Sequence, residues 1–111
     1  MKTRFLISIL VGFALLACDR QTKRMEQAQA FYEEGTRLRE QRLSEEAAES
    51  FLQGLELLHG CEKTNEVLQL EGQLCDNLGA MYLKHGLFED AFAQHQQALS
   101  CFRQTARPLL R

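Results

Sequence analysis

With 111 residues the chain holds one small domain, and 13 Lys and Arg against 15 Asp and Glu leave no basic excess for gripping a nucleic-acid backbone. A single proline, Pro108, with much Leu, Ala, Glu and Gln, points to helices rather than strands. No run of like charges is long enough to form a tail.

The N-terminus reads as an export segment. Lys2 and Arg4 make a positive start, and Phe5 to Ala17 is apolar apart from Ser8 and Gly12. That run falls short of the ~20 residues a spanning helix needs and suits the core of a signal peptide. It ends in Leu15-Leu16-Ala17-Cys18, which resembles a bacterial lipobox. The resemblance implies cleavage before Cys18 and lipid on that residue. Several acyl chains anchor a protein stably where one gives only marginal binding. The alternative is an ordinary cleaved signal, or a short uncleaved anchor, with Cys18 incidental. Residues 1–17 are therefore expected to be a signal peptide, and residues 18–24 a lipidated cysteine with a polar tether, Asp19-Arg20-Gln21-Thr22-Lys23-Arg24. The location implied is the bacterial cell envelope, on the periplasmic side of the inner or outer membrane.

From Met25 the pattern turns helical. Met25, Ala28, Phe31, Tyr32, Gly35 and Leu38 recur at spacings of three and four, predicting a helix over 23–41. Ser44 is the expected N-cap of a second helix over 45–59, with Glu45 and Glu46 facing the dipole and Gly60 as its stop. Thr64 or Asn65 caps a third, over 65–84, carrying Val67, Leu68, Leu70, Leu74, Leu78, Met81 and Tyr82. Gly86 ends it where a left-handed residue is needed. A fourth runs from Phe88 to about residue 106, with Pro108 beyond. Short connections make these two antiparallel helix hairpins.

The hairpins repeat. Gly35, Ala47 and Leu55 recur as Gly79, Ala91 and Leu99, each 44 residues on. The second copy reads Asn77-Leu78-Gly79-Ala80-Met81-Tyr82, then Gly86-Leu87-Phe88-Glu89-Asp90-Ala91. It resembles the tetratricopeptide repeat, in a long form similar to the kinesin-light-chain type. The first copy departs from that pattern at Glu34 and at Arg42, which stands where the turn glycine belongs. The resemblance covers residues 25–106 and implies an all-α fold: two antiparallel hairpins stacked as a short α-solenoid, with 107–111 as a C-terminal tail. In such repeats the small residues let helices approach, which places Gly79 in a helix contact and leaves Gly72 on an ordinary surface.

What the resemblance implies about function is a scaffold that grips a peptide or protein on the concave face lined by first helices. Carried over, the candidates are Gln29, Tyr32, Glu33, Thr36 and Arg39 from the first copy, and Gln73, Asp76, Asn77, Ala80 and Lys84 from the second. Asn77 is the sharpest, because a carboxamide donates and accepts at once and so mimics a backbone partner. A solvated or capping Asn is the plainer reading. Tyr32 and Thr36 replace the Lys and Asn that a clamp for a C-terminal carboxylate needs, which argues against that ligand.

No nucleophile, phosphate-loop or zinc-protease motif is present, so neither an enzyme nor a cofactor is expected. Cys61, Cys75 and Cys101 are odd in number, so at least one is a free thiol or forms an intermolecular bond; small buried residues are the reading preferred to a metal site at His59-Gly60-Cys61. Two repeats leave end faces uncovered, and Phe92, Leu99 and Phe102 are expected on an open face of the last helix, with a homodimer as one way to cover it. The other reading of the whole chain is the sensor or input fragment of a longer signalling or regulatory protein.

Overall fold

The computed structural model describes the backbone of residues 2–106 and the side chains of residues 19–105. The side chains of Cys18 and of the expected signal segment, and the tail 107–111 with Pro108, lie outside the described residues. The chain is all-helical: α1 (Lys2–Glu40), α2 (Ser44–His59), α3 (Asn65–Lys84) and α4 (Phe88–Ala106), with no strand among the described residues. The expected spans hold within a residue or two, except at the start of α1.

There the expected tether at 19–24 is helical and continuous with the rest of α1. It is also held in place. Gln21 Oε1 accepts from the Glu62 backbone N–H at 2.9 Å, and its Nε2 donates to the Glu62 carbonyl at 3.4 Å. The Arg24 guanidinium lies 2.5 Å from where a Cβ on Gly60 would stand. Gly60 thus ends α2 with φ −92°, using its small size rather than a left-handed backbone.

Caps set the other ends. Thr64 Oγ1 accepts from the Val67 N–H at 3.2 Å, one of the donors a helix start leaves unpaired. Ser44, expected as a cap, is instead the first residue of α2; Leu43 precedes it without a side-chain bond, and Glu45 and Glu46 supply charge to the first turn.

The two hairpin turns are copies. Arg42 has φ 65° and Gly86 φ 76°. Behind each, a leucine N–H reaches back five residues: Leu43 to the Leu38 carbonyl and Leu87 to the Tyr82 carbonyl, both at 2.9 Å. This is the Schellman closure, in which a left-handed residue lets the last carbonyls be satisfied.

Within each hairpin the helices run antiparallel and touch closely. Phe51 ring atoms come within 2.5 Å of where a Cβ on Gly35 would be, and His95 within 2.9 Å of the same point on Gly79. Gly72, expected on an ordinary helix surface, is not a surface position. It is buried, and the Phe102 ring lies 2.6 Å from its Cβ site. The first hairpin has Ala28 and Leu58 at the positions 44 residues earlier, both fully buried.

α2 packs on α3 to join the hairpins; the Leu74 side chain lies 3.2 Å from the Cβ position of Gly54. The core that results contains Phe51, Leu58, Val67, Leu70, Leu74, Leu78 and Met81. α3 is thus covered on two sides, by α2 and by α4, which explains why ten of its twenty residues are buried.

Candidate functional site

The residues expected to line a concave face lie on α1 and α3, which run side by side in the same direction. Arg39 bridges them: its Nη1 donates to Asn77 Oδ1. Asn77 Nδ2 donates in turn to the Gln73 carbonyl at 2.7 Å, one helical turn back. Arg39, Gln73 and Asn77 therefore form one connected group, and both ends of the Asn77 carboxamide are already engaged.

The remaining candidates spread around it. Gln29 and Glu33 are exposed and bonded to each other at 3.4 Å along α1. Thr36 Oγ1 donates to the Tyr32 carbonyl at 2.9 Å. The Tyr32 ring is half-buried, 6.3 Å from the Phe51 ring and tilted 47° to it, so it packs toward α2. Ala80 and Lys84 are exposed on α3. Asp76 turns to the other side of α3, where its Oδ1 is 3.1 Å from His95 Nδ1 on α4. The arrangement offers a polar strip with amide, guanidinium and ammonium groups. Such groups recognise backbone and carboxylate acceptors.

A second polar cluster escaped the sequence reading. Glu71 sits on α3 between hydrophobic neighbours and is 9 % exposed. Its Oε1 accepts from Lys63 Nζ at 2.7 Å; its Oε2 accepts from Cys101 Sγ at 2.7 Å and from Gln97 Nε2 at 3.5 Å. Burial pushes the carboxyl pKa up, but the bonds from Cys101, Lys63 and Gln97 outweigh it and hold the group below the ordinary 4.5. Burial first, and then the carboxylate beside it, push the Cys101 thiol up to about 12; Cys75 is pushed up to about 12 by the same two causes. These are inert thiols, since the thiolate is the reactive form. The available signal was a carboxylate falling inside the α3 apolar stripe between Leu70 and Leu74.

Cys61, Cys75 and Cys101 are all free and buried. Cys61 lies in the α2–α3 connection, where its Sγ donates to the Leu57 carbonyl at 3.6 Å, while His59 is exposed. Among the described residues no group of His, Cys, Asp and Glu is placed to hold a metal ion. No helix among them is long and apolar enough to cross a membrane.

No family model, no curated protein and no solved structure matches the chain.

Proposed function

We propose that this chain is a membrane-anchored interaction scaffold of the tetratricopeptide type, which holds a peptide or protein partner along α1 and α3 and performs no chemistry. The observation that carries the reading is the duplication of one hairpin at an offset of 44 residues: the left-handed exits at Arg42 and Gly86, and the rings packed over Gly35 and Gly79. A hairpin built twice in one register is the unit of stacked helical repeats, which serve as binding surfaces. The lipobox-like Leu15-Leu16-Ala17-Cys18 supports an anchor at the cell envelope.

The partner would lie over the Arg39–Asn77 pair and compete with Arg39 for the Asn77 oxygen. Photo-crosslinking in intact cells tests this. A crosslinker at Gln29 or Ala80 should trap a discrete partner, and one at Glu46 or Glu49 should not. Equal trapping from all four positions, or none, would sink the proposal.

A further inference from the structure

Among the described residues, the two outer faces of the hairpin pair correspond to the two halves of its internal joint. In that joint α3 presents Leu74, 3.2 Å from the Cβ position of Gly54 on α2; Cys75 beside it and Cys101 on α4 are also buried. Their counterparts 44 residues earlier are Ala30, Phe31 and Leu57. These line an open groove of about 550 Å³ between α1 and α2. It is the same surface in the first hairpin, and no other described helix packs on it.

The other half behaves the same way. On α2, Ala48 and Leu55 pack against the core. Their counterparts on α4 are Phe92, 65 % exposed, and Leu99, 49 % exposed. The rims are also opposite in sign, with Glu56 on the groove and Arg103 beside Leu99.

We propose that a second copy of this chain stacks head to tail, its α4 face entering the α1–α2 groove of the first and continuing the α2–α3 joint between molecules. The chain already builds the α2–α3 half of this contact once, so the relation that carries one hairpin onto the next also brings copy to copy. Such an interface is heterologous: each molecule uses two different faces, and the assembly grows into a chain or ring rather than closing as a two-fold dimer. The proposal stands independently of the lipid anchor and of any peptide bound along α1 and α3.

Two exposed positions separate this from two-fold pairing of α4 with α4. Ala30→Arg blocks the groove and keeps α4; Leu99→Arg blocks α4 and keeps the groove. The full chain is sedimented in density-matched detergent, with circular dichroism confirming helix content. Wild type is expected to associate at micromolar concentration. Each variant alone should associate at least tenfold more weakly, and an equimolar mixture should give a one-to-one dimer and nothing larger. A monomeric wild type overturns the proposal. So does an Ala30→Arg variant that associates like wild type, and so does a mixture that forms no dimer.

Discussion

The Phe102 ring occupies the space over Gly72, its Cε1 2.6 Å from where a Cβ would stand, so the lower half of the α3–α4 contact depends on a missing side chain. The first hairpin solves the same contact with Ala28 and Leu58. In the wild-type chain Gly72→Ala should meet overpacking of about 1–3 kcal/mol. With Phe102→Leu in place the ring is gone, and the same change should gain about 1 kcal/mol from helix propensity. Urea unfolding of the four chains gives the coupling directly. Additive effects would mean that Phe102 yields freely and the contact is not tight.

Arg42 adopts φ 65° at a solvent-exposed turn where the second copy has Gly86 at φ 76°. A side chain in that region costs about 1–2 kcal/mol, of which glycine's greater freedom in the unfolded chain returns part. Arg42→Gly should therefore stabilise the protein by about 1 kcal/mol. The converse change, Gly86→Arg, should destabilise it by a similar amount. Thermal melts of both variants check the pair, and a loss of stability in Arg42→Gly contradicts the turn assignment.

Glu71 should give the fold an acid-sensitive component. Its folded pKa lies below the ordinary 4.5, so the charged form is favoured by folding. The stabilisation is complete above the unfolded value and is lost as pH falls through the folded one. Glu71→Gln should cost about 1.5–3 kcal/mol at pH 7, the range of a hydrogen bond to a charged group. That difference from wild type should shrink as pH drops below 4.5. A difference that stays constant down to pH 2 would show that the charge on Glu71 contributes nothing.

Cys18 carries the anchoring proposal, and its test needs no knowledge of the partner. Cells fed a fatty-acid analogue should label the wild-type protein, and Cys18→Ala should abolish the label and release the protein from the membrane fraction. Equal label in both would remove the lipoprotein reading.

The helix spans were legible because their signals are local: an apolar stripe, a capping Thr64, a glycine at a left-handed exit. The contacts of Gly35 and Gly79 were legible because the 44-residue offset singles them out. Gly72 and Glu71 were misjudged or missed for one shared reason. α3 is packed against helices on two sides, so its interior extends beyond the stripe of large apolar residues. In that extra width a glycine can face a ring and a carboxylate can be buried if donors reach it. Neither role is written in the identity of the residue itself. Residues 19–24 were read as a tether from their polarity alone, yet they contain no helix breaker, and what fixes them is a loop 41 residues away at Glu62. The candidate face was legible as a set of positions. The Arg39–Asn77 bond across it joins residues 38 apart and depends on how the hairpins pack.

With lipid on Cys18, as proposed, the unbroken run of α1 through residues 19–24 into the packed hairpins would leave no swivel between anchor and domain. A helix transmits direction as well as distance, at 1.5 Å per residue along a stiff axis. The Gln21–Glu62 bonds and the Arg24 guanidinium against Gly60 fasten that axis to the α2–α3 loop. Lipid on Cys18 would then set an angle of approach and not merely a leash length. The α1–α3 strip would face one sector of the envelope, and partners could be selected by where they stand as much as by what they display.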